Sequence, residues 1–141
     1  MSTSPAPEEG AASRRRQARE RALALLYEAE VRSVSGGEVL EALPTPADDY
    51  AVELVLGVDR LSERIDGLIG RHARGWALDR MPAMDRNILR MSSFELVDEP
   101  RVPVAVVIDE AVELARDYST EESSRFVNGV LSAIAAEVRP S

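Results

Sequence analysis

Apolar residues recur every three or four positions along most of the chain, and this spacing predicts helices rather than strands. In the first predicted helix, Ser13 suits the N-cap and Ser35-Gly36-Gly37 interrupts the pattern after Arg32. The buried stripe of that helix is predicted to comprise Ala18, Ala22, Leu25, Leu26 and Ala29. The same reasoning along the chain predicts six helices, over residues 13–32, 38–43, 47–72, 82–97, 103–118 and 121–138.

This series of helices makes the predicted fold all-α, with a single helical domain over residues 14–138 and a disordered N-terminal tail over residues 1–13. Residues 102–108 are rich in β-branched side chains, but the helical spacing continues through Ala111 and Leu114. Gly129 lies inside the last predicted helix, where glycine costs roughly 1 kcal/mol relative to alanine. We therefore expect another helix to approach closely at Gly129.

The net charge of −8 argues against nucleic-acid binding when it is considered alone. The local distribution of charge is different, since one segment of eight residues carries five arginines: Arg14, Arg15, Arg16, Arg19 and Arg21. All 17 basic residues are arginine, which is typical of GC-rich codon usage and says little about function.

A helical projection of this segment puts Arg16 and Arg19 on the same flank of the buried stripe as Tyr27. Cations beside an aromatic ring at the start of a helix suit single-stranded RNA, because cations neutralise phosphates and a ring can stack on an unpaired base. The alternative is a solvated basic turn, or arginines that pair with acids of the last helices. The spacing leaves both interpretations open.

Two more basic segments are candidates for RNA contact. Arg86, Arg90 and Phe94 follow one another at intervals of four residues, although ion pairs with nearby acids and a packed Phe94 explain this spacing equally well. Arg125 and Phe126 lie near the start of the last predicted helix, where Phe126 can equally belong to the core.

The sequence predicts no catalytic site, no metal and no cofactor. There is no cysteine, the single histidine (His72) suits a half-buried or helix-capping position, and there is no glycine-rich phosphate loop. The N-terminus lacks the basic and then apolar order of a signal peptide, and there is no apolar run as long as a membrane span. We therefore expect a cytoplasmic protein that does not contact membranes.

Four motifs, in order, give the chain a resemblance to the NusB family of bacterial transcription antitermination factors. The motifs are RRRQARE with ALLY, MDRNILR with FEL, VIDEAVELA after Pro103, and RFVNGVL from Arg125. Each match is weak by itself, but together they extend over about residues 13–138 of a chain of 141.

The resemblance implies a fold of two three-helix subdomains and binding to boxA, a single-stranded element in the leader RNA of ribosomal operons. It also implies a complex with NusE, a small-subunit ribosomal protein, and through it an association with other Nus factors and RNA polymerase. The RNA-binding residues that it implies are Arg14, Arg15, Arg16, Arg19, Tyr27, Arg86, Arg90, Arg125, Phe126 and Asn128. NusE is expected to contact the predicted helix 82–97 and Glu122.

Two other functions are compatible with these motifs. One is a protein–protein adaptor that binds no RNA, and the other is the RNA-binding domain of an rRNA cytosine methyltransferase. The end of the chain at Ser141 argues against the second, since no catalytic domain follows. The sequence leaves open whether the chain is a monomer or a homodimer, and a homodimer that covers the arginine segment would mask RNA binding.

Overall fold

The computed structural model describes residues 7–140, and every regular element among them is helical. The seven α-helices are α1 (Pro7–Arg32), α2 (Gly36–Glu41), α3 (Asp49–Arg60), α4 (Ser62–His72), α5 (Ala83–Asp98), α6 (Val104–Tyr118) and α7 (Glu121–Val138). A 3₁₀ turn, Leu78–Arg80, lies between α4 and α5. The predicted all-α fold is therefore confirmed for the described residues.

The first helix begins earlier than the sequence predicts. It starts at Pro7, whereas Ser13 was expected to cap it, so the predicted disordered tail overlaps the helix from residue 7 onward. Residues 1–6 lie outside the described part of the chain. Ala and Glu residues in this segment favour helix, which explains how the helix extends past the predicted cap.

The single helix predicted over residues 47–72 is in fact two helices, α3 and α4, separated at Leu61. Leu61 has φ −105° and ψ 20°, far from the helical ψ of about −42°. The apolar pattern continues through this position, so periodicity alone gave no sign of the break. The change of direction lets α3 pack against α1 and α2 while α4 packs against α7.

The central element is α5, which packs against α1, α3, α4, α6 and α7. Its buried residues include both large apolar side chains such as Phe94 and polar ones such as Glu95. Because α5 contacts helices from both ends of the chain, the helices do not fall into two groups that pack separately. The division into two three-helix subdomains stays a prediction.

Gly57 of α3 lies directly against Phe94 of α5. A Cβ atom at this position would overlap the aromatic ring of Phe94, which is fully buried. The absence of a side chain at residue 57 is therefore what lets the Phe94 ring lie flat against α3.

Gly129, in contrast, does not have the close helix neighbour that the sequence predicted. It is exposed on α7, and a Cβ atom built there would meet nothing within 4 Å. That prediction was wrong, because sequence alone could not assign Gly129 to the outer face of its helix.

The C-terminal end of α5 is closed by Arg139, which the sequence predicted only as part of a helix stop. Its guanidinium donates hydrogen bonds of 2.6–2.9 Å to the carbonyl oxygens of Glu95, Leu96, Glu99 and Val102. The last four carbonyls of a helix have no partner within the helix. Arg139 supplies donors for two of them, those of Glu95 and Leu96, and for two carbonyls of the turn that follows.

Replacement of Gly57 by alanine tests the contact with Phe94. We expect Gly57→Ala to lower the free energy of unfolding by about 1–3 kcal/mol, because the core must expand to admit the methyl group. Gly67→Ala is the matched control: Gly67 is exposed on α4 with nothing within 4 Å, so this change should stabilise the protein by up to about 1 kcal/mol. Urea denaturation of both variants measures the difference, and equal effects would contradict the role of Gly57.

Candidate nucleic-acid interface

The arginine segment lies inside α1 rather than at its start. Arg14 is the eighth residue of the helix, so the backbone N–H groups of the segment already bond within the helix. The electrostatic effect of a helix terminus falls off within the first turn. Any attraction for phosphate must therefore come from the arginine side chains themselves.

Arg19 does not belong to the exposed surface. It is only 2% exposed, and its Nε and Nη2 atoms donate to both carboxylate oxygens of Glu95 at 2.8–3.2 Å. Burial lowers the pKa of Arg19, but the hydrogen bond and charge of Glu95 outweigh this and raise it above its ordinary value. Arg19 is thus a structural residue in this fold, in contrast to the RNA contact implied by the resemblance.

Tyr50, at the start of α3, joins the same buried group. Its hydroxyl donates to Glu95 Oε2 at 2.6 Å, and its ring centre lies 5.9 Å from the guanidinium carbon of Arg19. Burial is the main reason that the pKa of Tyr50 is raised, followed by the negative charge of Glu95. The hydroxyl therefore stays protonated and keeps its role as donor. The sequence analysis did not identify Tyr50.

Arg16 is exposed, but two carboxylates of α6 neutralise its charge. Its Nε and Nη2 atoms bond Glu110 at 3.1 and 3.0 Å, and Nη2 lies 3.1 Å from Glu113. These contacts, with the hydrogen bond to Glu110 as the largest cause, raise the pKa of Arg16. The alternative interpretation, in which arginines pair with acids of the later helices, is correct for Arg16.

The remaining arginines of the segment, Arg14, Arg15 and Arg21, are exposed and have no carboxylate of a described residue within 4 Å. Arg14 and Arg21, with Asp48 from the start of α3, line a shallow depression of about 300 Å³. The guanidinium carbon of Arg15 lies 5.8 Å from the centre of the Tyr50 ring. These three side chains form what we call the α1 patch.

Tyr27 is 41% exposed on α1 but is distant from this patch. Twelve residues of helix separate it from Arg15, which corresponds to about 18 Å along the axis. The predicted grouping of the exposed arginines with the Tyr27 ring therefore does not occur within α1.

Arg86 and Arg90 are held by acids, as the alternative interpretation of that segment proposed. Arg86 is 12% exposed, pairs with Glu30, and donates at 2.9 Å to the carbonyls of Leu78 and Met81. Arg90 bonds both oxygens of Asp66 at 2.9 and 3.0 Å. Phe94 is fully buried in the core.

The start of α7 presents a second surface, which we call the α7 patch and define by Trp76, Arg125 and Phe126. Asn128 lies on another side of the helix, about 160° from Phe126. Arg125 and Asn128 are exposed, and Phe126 is half-buried against Trp76, with ring centres 5.5 Å apart. Trp76 is 48% exposed. The sequence analysis did not identify Trp76, although a lone tryptophan between two predicted helices was a signal for it.

Beside the two rings is an open depression of about 370 Å³, with Pro82 and Glu122 at its edge. Its polar wall is the buried carboxylate of Asp85, which accepts hydrogen bonds from Ser119 at 2.6 Å and Ser123 at 2.7 Å. These bonds fix the start of α7 against the start of α5. The α7 patch is therefore carried on a rigid support.

The end of α5 is acidic. Burial, followed by a hydrogen bond with Glu53, raises the pKa of Glu99 to about 7. Glu53 lies on α3, and Asp98 beside Glu99 adds negative charge. The carboxylates at this edge set it apart from the two patches, which carry exposed arginines.

Within residues 7–140, no group of three or more His, Cys, Asp or Glu side chains is arranged to hold a metal ion. No helix among these residues has the length and apolar character needed to cross a membrane. His72 is half-buried near the end of α4, with its Nε2 atom 2.9 Å from Glu137.

Comparison with known proteins decides the family. The sequence profile of the NusB family matches residues 16–136. The chain belongs to the NusB family. A transcription antitermination protein NusB from Acidothermus cellulolyticus is 49% identical over 126 residues, which cover 86% of this chain and 87% of that protein. Another NusB, from Streptomyces avermitilis, is 43% identical over a match that covers 90% of this chain and 94% of that protein.

Solved NusB structures share the fold. T. maritima NusB superimposes with a TM-score of 0.80 at 36% identity, covering 89% of this chain and 93% of that one. A chain from the complex of antitermination factors NusB and NusE with double-stranded RNA gives a TM-score of 0.75 at 34% identity. The match covers 87% of this chain and 96% of that one.

Replacement of Arg86 by alanine tests whether this arginine is structural. We expect Arg86→Ala to lower the free energy of unfolding by about 2–4 kcal/mol, because Glu30 loses its partner and two carbonyls lose a donor. Arg80→Ala is the control, since Arg80 is exposed and forms no ion pair with a described residue. Thermal melts compare the two, and an unchanged Tm for Arg86→Ala would return Arg86 to the candidate RNA contacts.

Proposed function

We propose that the chain is a transcription antitermination factor that acts by binding rather than by catalysis. It binds boxA-type single-stranded leader RNA of ribosomal operons together with NusE, and helps RNA polymerase to read through terminators. Since transcription is its proposed setting, we place its action in the cytoplasm. The observation that carries the RNA-binding part is the α1 patch, a set of un-neutralised arginines on a chain with a net charge of −8.

Phosphate contact is the proposed role of the α1 patch. Arg14, Arg15 and Arg21 keep their charge accessible, because none of them has a carboxylate of a described residue within 4 Å, although Asp48 lines the same depression as Arg14 and Arg21. Arg16 joins them only if RNA displaces Glu110 and Glu113. Arg19, Arg86 and Arg90 are left out of the proposed surface, since their guanidinium groups are occupied by carboxylates inside the fold.

Base contact is the proposed role of the α7 patch. Single-stranded RNA exposes base faces that stack on aromatic rings and base edges that bond to amides. Trp76 and Phe126 supply rings, and Arg125 supplies a cation for the adjoining phosphate. Asn128 stays a proposed contact that would supply an amide from another side of α7. Tyr27 stays a proposed contact as well, at a separate position on α1.

NusE is the proposed protein partner, and other Nus factors and RNA polymerase would associate through it. A related NusB has been solved with NusE and double-stranded RNA, which supports a joint complex for this chain. We propose that NusE contacts the edge of the depression beside Trp76, where Glu122 is exposed and offers an acid to a basic ribosomal protein. Such contact would bring NusE next to the α7 patch.

The double variant Arg14→Ala/Arg15→Ala tests the RNA surface. We expect weaker binding to boxA RNA. We also expect the plot of log affinity against log salt concentration to become shallower by roughly 1.4, since each phosphate contact to a single strand contributes about 0.7 to that slope. The measurement is a fluorescence-polarisation titration at several salt concentrations, with scrambled and duplex RNA as comparisons. The control is Arg64→Ala/Arg101→Ala, which removes the same charge from exposed positions on α4 and after α5.

If both double variants change the slope equally, the binding is non-specific attraction. If the wild-type chain shows no salt-dependent affinity for any RNA, the chain is an adaptor that binds only proteins. Preference for the duplex over single-stranded boxA would contradict the proposed single-stranded target.

Addition of NusE tests the joint complex. We expect NusE to raise the affinity for boxA RNA at least several-fold, because the second protein adds phosphate contacts. Glu122→Gln should weaken NusE binding while leaving RNA affinity without NusE unchanged, and Glu121→Gln is the control on the neighbouring residue. Equal RNA affinity with and without NusE would refute the joint complex.

A further inference from the structure

The exposed arginines of α1 differ in one physical respect, which is how firmly each guanidinium is held before any ligand arrives. Arg16 is held by two carboxylates that cancel its charge. Arg14 and Arg21 keep their charge, but no ion pair or ring contact with a described residue holds them. Arg15 alone among these four both keeps its charge and lies against a ring, that of Tyr50.

Tyr50 is held at its backbone, at its hydroxyl and at its ring face. Its backbone N–H donates to the capping carboxylate of Asp48 at 2.9 Å, and its hydroxyl donates to buried Glu95 at 2.6 Å. The guanidinium of Arg19 lies 5.9 Å from its centre. A ring held in this way offers Arg15 a stationary surface.

A cation–π contact holds a guanidinium without using its N–H groups. The attraction comes from the ring face, so the five donors of Arg15 stay free for a phosphate. A carboxylate partner, by comparison, occupies those donors and removes the charge. An arginine that is ordered beforehand also loses less side-chain entropy on binding than a freely rotating one.

We infer that Tyr50 is a positioning residue for RNA binding, which orients Arg15 towards a phosphate of the RNA backbone without contacting the RNA. This inference rests on the proposed RNA-binding function. It extends the binding site from α1 to the start of α3. It also assigns a role at the surface to a residue whose hydroxyl belongs to the core.

The first test compares arginines that lie on one helix and are all exposed, so that folding is not at risk. We expect Arg15→Ala to weaken boxA RNA binding about tenfold, as for the loss of one ordered, charged hydrogen-bond donor. Arg14→Ala and Arg21→Ala should each weaken it only about twofold, since those side chains have to be ordered when RNA binds. Equal losses for all three variants would overturn the inference.

The second test separates the ring of Tyr50 from its hydroxyl. Tyr50→Phe and Tyr50→Leu both lose the bond to Glu95, and only the second loses the ring. We expect Tyr50→Phe to bind RNA within about twofold of wild type and Tyr50→Leu to bind about threefold more weakly than Tyr50→Phe. Circular dichroism checks that each variant is folded at the temperature of the titration.

A double-mutant cycle then tells positioning from direct contact. In the Arg15→Ala background, Tyr50→Leu should weaken binding no further than Tyr50→Phe, because the ring has no arginine left to orient. A further loss of about threefold in that background would mean that the ring stacks on a base, which overturns the inference. If the wild-type chain binds no RNA, the proposed function fails; if it binds RNA and Arg15→Ala behaves as Arg21→Ala does, only the positioning role fails.

Discussion

The buried ion pair between Arg19 and Glu95 is the constraint on which the arrangement of the helices depends. It joins α1 to α5, and the hydroxyl of Tyr50 adds α3 to the same carboxylate. Removal of one partner from such a pair typically costs about 3–5 kcal/mol, because the other charge is left buried and unpaired. A shift of α1 along α5 would break the two-point contact of the guanidinium, so the pair also fixes the register between these helices.

Polar contacts of the same kind tie α5 to its neighbours along its whole length. Near the start of α5, Asp85 holds Ser119 and Ser123 at the junction of α6 and α7, and Asn87 bonds Glu30 of α1. At its end, Arg139 bonds the carbonyls. Apolar packing supplies most of the stability in a fold of this size, but these directional bonds decide where each helix sits. Both patches are therefore carried on helices whose positions are fixed from within.

Apolar periodicity predicted most of the core. All five residues of the predicted stripe in α1 are buried, and so are Val127, Val130, Leu131 and Ile134 in α7. The break at Leu61 escaped prediction because the apolar spacing continues through it, and the early start of α1 escaped because a good N-cap at Ser13 was not used. The helix propensity of the Ala and Glu residues before Ser13 outweighs the preference for a cap there.

The candidate site was less predictable than the core, since a helical projection gives the direction of a side chain and not its partner. Arg16 and Arg19 were predicted on one flank, yet one is exposed and the other is buried. The difference depends on Glu95 and Glu110, which are 76 and 94 residues away in sequence. Arg14 and Arg15, two candidates from the arginine segment, are exposed, whereas the contact of Arg15 with Tyr50 is one that no local pattern contains.

The hydrogen bonds from Arg139 to carbonyls of α5 have a consequence for how the chain folds during synthesis. The carbonyls that Arg139 bonds belong to residues 37–44 positions earlier, at the end of α5 and in the turn that follows it. All the other large helices pack against α5. On a ribosome, α5 is synthesised before Arg139. The carbonyls of its C-terminal turn therefore stay bonded to water until α6, α7 and Arg139 have been synthesised. The central helix is therefore completed at its C-terminal end only after the segment that contains Arg139 has been synthesised.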